Sequence, residues 1–155
     1  MIKPSRSHIA ALSLSAAALV GLLTFEGYRD TAYTPVPGDV PTIGYGSTAG
    51  VKMGDRTDPV TALHTAMADV TKFEGAIKQC VTAPLRQHEY DAYLSLAYNI
   101  GTSAFCKSTL VNKLNRLDYS GACREILRWD RFKGKRLPGL TKRRQAEYAT
   151  CMGPA

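Results

Sequence analysis

Three polar side chains near an apolar stretch could carry acid–base chemistry: Glu26, Asp39 and Thr42. Glu26 comes directly after the apolar run, and a carboxyl with apolar neighbours is desolvated, which favours its protonated form. A protonated carboxyl near neutral pH is what a general acid requires. Asp39 and Thr42 could supply a second carboxylate and a hydroxyl several ångströms away. Inverting glycosidases use such a gap, about 6.5–9.5 Å between the carboxyls, so that a water molecule fits between base and sugar.

The segment that must position Asp39 and Thr42 covers residues 33–47, with the sequence YTPVPGDVPTIGYGS. Its prolines and glycines interrupt short β-prone pairs, which excludes a helix and predicts a small irregular hairpin or ribbon. A ribbon that faces the end of a helix could hold both side chains near Glu26. Spacing alone also allows a purely structural interpretation, in which Glu26 ends a helix, Asp39 makes a turn and Thr42 fills a strand.

The rest of the chain favours helices. Asp58 followed by Pro59 predicts a helix start, with an N-cap and a proline at the first helical position. Apolar residues then recur at helical spacing as far as Cys80; they are Val60, Leu63, Met67, Val70, Phe73 and Ile77. Further helices are predicted from Pro84 to Gly101 and over residues 108–117, 120–132 and 141–152. We therefore predict one mostly helical α+β domain over residues 26–155.

Residues 1–25 have the features of an export segment. Lys3 and Arg6 precede the 19 uncharged residues 7–25, and positive charge before an apolar run keeps the N-terminus in the cytoplasm. As a helix this run would span about 28 Å, close to a hydrocarbon core of about 30 Å. Its alanine, serine and glycine content makes insertion marginal. Three interpretations stay open: a releasable membrane anchor, a signal peptide cleaved near residues 16–18, and a buried helix of a soluble fold.

Composition and charge exclude several classes of protein. The chain has 155 residues, 45% hydrophobic and 21% charged, which excludes a disordered tail or a fibre. Nothing outside residues 7–25 is long and apolar enough to cross a membrane, which excludes a transporter with several spans. The formal net charge of +7 favours an anionic partner, such as nucleic acid, an anionic lipid surface or an acidic cell-wall polymer.

The four cysteines are Cys80, Cys106, Cys123 and Cys151, and no pair has the spacing of a zinc or redox motif. They are either buried thiols in a cytosolic protein or two disulfides in an oxidising compartment. Among the possible connectivities we favour Cys80–Cys106 and Cys123–Cys151, because each closes a modest loop between neighbouring predicted helices. No histidine has metal-ligand spacing from a partner, and neither a metal nor a cofactor is expected.

Several motifs resemble the phage-type lysozymes of glycoside hydrolase family 24. They begin with FEGYR at residues 25–29 and PTIGYGST at 41–48, continue with LAYNIG at 96–101, and end with LPGLTKRRQAE at 137–147. The apolar N-terminus joined directly to Glu26 is similar to the signal-anchor-release endolysins of that family. The family cleaves the β-1,4 bond between N-acetylmuramic acid and N-acetylglucosamine in peptidoglycan. The resemblance implies a small ribbon lobe and a helical lobe, with substrate bound in the cleft between them.

The resemblance also implies roles for individual residues. Glu26 matches the general acid of the family and Thr42 its catalytic threonine. The family usually places an aspartate nine residues after the glutamate, where this chain has Pro35. We therefore take Asp39, the nearest acidic residue on the ribbon, as the base. Asp30 is the competitor for this role, and in a third arrangement no aspartate matters and Thr42 alone orients the water.

Together these features predict an exported endolysin that degrades peptidoglycan and acts as a monomer. Residues 1–25 would anchor it in the inner membrane, with the N-terminus inside and the C-terminus outside. The anchor would later leave the membrane together with the catalytic domain, residues 26–155, and enter the periplasm. The alternative is a membrane-tethered, non-catalytic peptidoglycan-binding module in which Glu26 is structural. A DNA-binding domain fits the charge, but dispersed basic residues and the export segment argue against a nucleic-acid partner.

Overall fold

A computed structural model describes residues 4–154 of the chain. The chain divides into two compact units. One is Leu19–Lys72, and the other combines the N-terminal residues up to Ala18 with the chain from Phe73 onward. We call them the ribbon unit and the helical unit. The prediction of a mostly helical α+β protein with a small ribbon part and a larger helical part is confirmed.

The N-terminal residues do not form one long helix in this structure. Residues 4–15 are not helical except for a 3₁₀ turn over Ile9–Ala11, and helix α1 (Ala16–Glu26) has 11 residues, or about 16 Å. Within residues 4–154, no helix is both long and apolar enough to cross a membrane. The long helix is interrupted because the amides of Leu14 and Ser15 donate to side-chain carboxylates instead of to carbonyls one turn back.

A two-stranded antiparallel sheet organises the ribbon unit. Strand β1 (Arg29–Tyr33) pairs with strand β2 (Thr42–Gly44), and Tyr33 lies opposite Thr42. The pairing contains an irregularity between its two ends, as expected for strands this rich in nearby proline and glycine. The ribbon that the sequence predicted over residues 33–47 is therefore present, with β1 beginning four residues earlier than the predicted segment.

Helix α2 (Pro59–Cys80) has the bounds that the sequence predicted. The carboxylate of Asp58 accepts hydrogen bonds from the amides of Val60 and Thr61, both at 3.0 Å. It also accepts one from the Thr61 hydroxyl at 2.6 Å, and this bond, followed by the backbone ones, lowers the pKa of Asp58. The cap satisfies amides that the first turn of any helix leaves without partners, which explains why the helix begins here.

The apolar series of α2 is only partly buried. Val70 and Ile77 are buried, but Val60, Leu63 and Met67 are 65%, 38% and 49% exposed. Ala62 is buried in their place, at 3% exposure. The backbone of Gly44 comes so close that a Cβ added there would lie 2.9 Å from the Cβ of Ala62. Only a small residue fits this contact, so larger apolar side chains are turned outward.

The helical unit packs helix α3 (Gln87–Ile100) against helix α7 (Pro138–Met152), and helix α5 (Thr109–Asn115) against helix α6 (Tyr119–Glu125). The short helix α4 (Thr102–Cys106) connects α3 to α5, and a hairpin of β3 (Arg131–Phe132) and β4 (Lys135–Arg136) precedes α7. Large side chains fill the core between these helices. They include Tyr90, Tyr93, Leu94, Leu96, Phe105, Leu110, Leu114 and Ile126.

Several bounds in the helical unit differ from the predicted ones. Helix α3 begins at Gln87 instead of Pro84, because the carboxylate of Glu89 accepts a hydrogen bond from the amide of Arg86 at 2.8 Å and caps the helix there. Helix α4 was not predicted. The helix expected over residues 120–132 ends at Glu125, and a 3₁₀ turn over Ile126–Arg128 and strand β3 replace its second half.

Two disulfides join elements of the helical unit, and their pairing confirms the predicted one. Cys80 is bonded to Cys106, and Cys123 to Cys151, with Cα–Cα distances of 5.6 and 5.7 Å. The bonds close loops with sequence separations of 26 and 28 residues. On a chain-entropy basis, loops of this length stabilise the folded state by about 3.5 kcal/mol each. The alternative of four free buried thiols is therefore wrong.

Candidate active site

Glu26 is the last residue of α1, and its side chain is half-buried. Gly27 ends the helix with a φ of +69°, a conformation that glycine adopts without steric cost. The carboxylate of Glu26 lies against the backbone of Gly46. A Cβ added to Gly46 would lie 2.9 Å from Oε2 and 3.4 Å from Cδ of Glu26. The fold therefore brings the predicted acid onto the turn that follows β2.

The turn under the Glu26 carboxylate is fixed on both sides. Ile43 and Ser47 exchange two backbone hydrogen bonds of 2.9 and 3.0 Å. The buried Ser47 hydroxyl donates to Asp69 of α2 at 2.7 Å. Gly46 has a φ of +88°, so the turn needs glycine both for its backbone conformation and for the carboxylate above it. Sequence reasoning missed this contact, although the Gly-Tyr-Gly pattern at residues 44–46 was the available signal.

Thr42 and Asp39 are joined through one residue of the ribbon, Val40. The Thr42 hydroxyl donates to the Val40 carbonyl at 3.2 Å, and the Asp39 carboxylate accepts from the Val40 amide at 2.9 Å. Thr42 is buried, at 6% exposure, whereas Asp39 is exposed. The accessible carboxylate and the buried hydroxyl are therefore both bonded to the backbone of Val40, and each can also bond to water.

Asp30, the competing aspartate, has a different setting on β1. Its carboxylate lies 3.9 Å from the Arg56 guanidinium, with both side chains largely exposed, and it accepts a hydrogen bond from the Thr31 hydroxyl at 3.1 Å. Its carbonyl accepts from the amide of Thr57 at 2.8 Å. Asp30 thus interacts with residues 56 and 57, which run beside β1, whereas Asp39 interacts with the residue two positions before Thr42.

Two tyrosines near Glu26 and Gly46 contact each other: Tyr28 lies two residues after Glu26, and Tyr45 directly precedes Gly46. The rings of Tyr28 and Tyr45 have centroids 5.3 Å apart and are tilted by 48°. Desolvation raises the pKa of the Tyr28 phenol, and the negative charges of Asp30 and Asp58 raise it further. Its hydroxyl is therefore a hydrogen-bond donor throughout the neutral pH range.

The chemistry available here is that of acid and base groups. Over residues 4–154, no three His, Cys, Asp or Glu side chains lie close enough together to hold a metal ion. A glutamate at the end of a helix, with a ribbon that carries an aspartate and a threonine, offers the groups that acid–base glycosidases use. The sequence model for phage lysozyme matches residues 23–147. The chain belongs to the phage lysozyme family.

Similar proteins agree with this placement. The chain is 42% identical over 142 residues to an endolysin of Acyrthosiphon pisum secondary endosymbiont phage 1, covering 89% of this chain and 97% of the relative. It is 36% identical over 159 residues to the SAR-endolysin of Pseudomonas phage phiKMV, covering 100% of this chain and 95% of the relative. The solved muramidase domain of SpmX from Asticaccaulis excentricus aligns with a TM-score of 0.83 at 29% identity, and the alignment covers 92% of this chain and 99% of that domain.

The family settles the type of activity. The chain is a glycosidase that degrades bacterial peptidoglycan, as the sequence predicted. The alternative of a non-catalytic peptidoglycan-binding module is not favoured by these relatives.

Proposed function

We propose that Glu26 is the general acid that cleaves the β-1,4 bond between N-acetylmuramic acid and N-acetylglucosamine. It protonates the glycosidic oxygen as the bond to the departing sugar breaks, so the leaving group departs as a neutral alcohol. The contact between the Glu26 carboxylate and the Gly46 backbone carries this proposal. It fixes the acid on the turn directly after β2, the strand that begins with Thr42.

Asp39 and Thr42 then supply the water that attacks the sugar. Asp39 accepts a proton from this water as the new bond forms, and the Thr42 hydroxyl orients it. Asp39 is favoured over Asp30 because Asp39 and Thr42 both bond to the backbone of Val40, whereas Asp30 pairs with Arg56. Attack by water on the face opposite the leaving group inverts the configuration of the anomeric carbon.

Digestion of purified peptidoglycan, followed by analysis of the products, tests this scheme. We expect new reducing ends that are N-acetylmuramic acid, and a first-formed product with the anomeric configuration opposite to that of the bond cleaved. Proton NMR of the anomeric signal in the first minutes measures the configuration before the sugar equilibrates. New N-acetylglucosamine reducing ends would contradict the assigned bond, and retained configuration would show a covalent nucleophile in place of activated water.

We further propose that the protein is exported with its N-terminus held in the inner membrane, and that it later moves whole into the periplasm. The cations Lys3 and Arg6 before an apolar run support this orientation. A similar protein, from phage phiKMV, is a SAR-endolysin. Apolar side chains of α1 are also exposed in this structure, with Val20 at 65% and Phe25 at 42%, as expected of a segment compatible with two environments.

The membrane potential gives a physical reason for the timing of release. Leaving the bilayer on the outer side moves Lys3 and Arg6 outward, against a potential that is negative inside. Each charge costs about 2.3 kcal/mol per 100 mV, so two cations are held by roughly 4–5 kcal/mol at about 100 mV. Collapse of the potential removes this restraint, and only the weak apolarity of residues 7–25 then keeps the segment inserted.

Cell fractionation before and after depolarisation tests the release. We expect the full-length chain to move from the membrane to the periplasmic fraction. Replacing Ser13, Ser15 and Gly21 together with Leu favours insertion by roughly 1–2 kcal/mol or more, so that variant should stay in the membrane and lyse late. The matched control replaces the same three residues with Ala, which also removes the two serine hydroxyls but adds little apolar surface. A wild-type chain found only as a shortened soluble product would show cleavage instead.

A further inference from the structure

Residues 4–15, which we call the N-terminal strap, lie on the helical unit and are held there mainly by polar contacts. Ser7 and Leu85 exchange two backbone hydrogen bonds of 2.8 and 2.9 Å. Ile9 is buried, at 3% exposure, while most other strap residues remain accessible. The Pro4 carbonyl accepts a hydrogen bond from the Arg86 guanidinium at 2.9 Å. The strap therefore pairs with the chain just before α3 as a short strand would.

The strongest of these contacts joins Arg6 to Glu89 of α3. Two guanidinium nitrogens of Arg6 donate to the two oxygens of Glu89, at 3.1 and 2.7 Å. The side chain of Glu89 is only 3% exposed and that of Arg6 25% exposed. The guanidinium also stacks on the Tyr119 ring, 3.4 Å from its centroid. A carboxylate buried to this degree needs a paired cation, because an unpaired buried charge is strongly destabilising.

Two further carboxylates accept hydrogen bonds from the C-terminal end of the strap, residues 14 and 15. Asp91 accepts from the amide of Ser15 at 3.0 Å and from its hydroxyl at 2.7 Å. Glu74 accepts from the amide of Leu14 at 2.9 Å and from the Tyr90 hydroxyl at 2.6 Å. These bonds satisfy strap amides that belong to no helix, which explains why acidic side chains lie along this surface.

We propose that Glu74, Glu89 and Asp91 form a docking site for the N-terminal strap, and that Arg6 is the side chain that holds the strap in place. This inference rests on the proposed release from the membrane. While residues 7–25 span the bilayer, Arg6 lies on the cytoplasmic side and Glu89 keeps only its longer ion pair with Arg86. Insertion and docking therefore exclude each other, and the same arginine serves both states. Docking captures the released strap and opposes its return to the membrane.

The proposal also requires the strap to stay part of the active enzyme. Cleavage near residues 16–18 would leave Glu26 on the catalytic side but would remove every strap group that bonds to Glu74, Glu89 and Asp91. Glu89 would keep the hydrogen bond from the Arg86 amide and lose its bidentate contact with Arg6. The buried carboxylate would then keep only the longer ion pair with the Arg86 guanidinium, at 3.8 Å.

Hydrogen exchange on the purified full-length chain tests the docking site. The variants are Arg6→Gln, Glu89→Gln and the double variant, with Arg116→Gln as a control that removes an equal charge from an exposed position. We expect Arg6→Gln to accelerate exchange at the Ser7 and Ser15 amides by at least about tenfold, because local opening governs these rates. The double variant should exchange no faster than Glu89→Gln, and Arg116→Gln should match the wild type.

The outcomes separate the docking site from the proposed release. An unchanged exchange rate in Arg6→Gln would overturn the docking proposal. So would a double variant whose acceleration of exchange equals the product of the two single accelerations, because the two residues would then act independently. Should Glu89→Gln fail to fold, Arg6→Lys decides: it keeps the charge but loses the two-pronged geometry, and an intermediate rate is expected. Cell fractionation of the wild type is measured separately. A chain that never leaves the membrane defeats release, whereas the exchange data on purified protein report on docking alone.

Discussion

The contact between Gly46 and Glu26 gives a sharp test of how the ribbon positions the acid. Replacing Gly46 with Ala introduces a Cβ only 2.9 Å from Oε2 and 3.4 Å from Cδ of Glu26. Since ordinary contact begins near 3.4 Å, the carboxylate oxygen must move by about half an ångström, taking 3.4 − 2.9 Å as the smallest shift. The turn is held by Ser47 and Asp69, so the side chain of Glu26 is the part that must yield.

Two effects of the substitution can be sized. A misplacement of about 1 Å can cost about 10²-fold in rate, so a shift of half that size should lower kcat by roughly tenfold. The φ of +88° at Gly46 adds a backbone cost of roughly 1–2 kcal/mol for any residue with a side chain. The first effect reduces activity, and the second reduces only the free energy of unfolding.

Gly50→Ala is the matched control. Gly50 has a φ of +71°, and a Cβ added there would meet nothing within 4 Å. It therefore imposes the same kind of backbone strain without touching Glu26. Initial rates on purified peptidoglycan and thermal unfolding should show both variants destabilised to a similar extent, with the loss of kcat confined to Gly46→Ala. Equal activity of the two variants would refute the argument that the Gly46 backbone positions the acid.

Further predictions concern individual carboxyls. Glu26→Gln should leave the fold intact and lower the lytic rate by about 10²–10⁴-fold, because the leaving oxygen loses its proton donor; a folded variant that keeps over about a tenth of the activity would exclude this role. Asp39→Asn should reduce turnover far more than the matched Asp30→Asn, and the reverse order would show that the base has been misplaced. The hydrogen bond from Lys113 is the main cause that lowers the pKa of Glu125. A carboxyl with a lowered folded-state pKa stabilises the protein above its unfolded pKa, and this contribution is lost as the pH falls through the folded value. Urea unfolding at pH 7 and in acid should therefore show that Glu125→Gln is destabilised at pH 7 and loses less further stability below about pH 4.5 than the wild type.

Local sequence signals predicted much of the fold. The Asp58-Pro59 pair set the start of α2, and the apolar spacing carried it correctly to Cys80. The exposure of Val60, Leu63 and Met67 could not be predicted, because at this end of α2 the small residue Ala62 packs against Gly44 of a separate strand. The five-residue α4 was missed because it is too short to show an apolar period.

In the site and the strap too, neighbouring residues in the sequence predicted some features, whereas others depend on residues far away along the chain. Glu26, Asp39 and Thr42 could be singled out by residue type and by resemblance, and their roles stay predictions. The single helix over residues 7–25 could not be rejected from sequence, because it is interrupted by Glu74 and Asp91, which lie 60 and 76 positions away from the residues they bind. Partners so far apart leave no periodic trace in the chain.

The backbone of Val40 is bonded to both Asp39 and Thr42, directly after the loop of residues 34–38. Asp39 and Thr42 are tied to each other through this one residue, and the preceding turn closes on itself through the bond from the Asp39 amide to the Val36 carbonyl. Substitutions within residues 34–38 that keep the bond between the Asp39 amide and the Val36 carbonyl should therefore leave both contacts with Val40 in place. Such substitutions offer a way to vary the loop while the proposed water-activating pair, Asp39 and Thr42, stays constant.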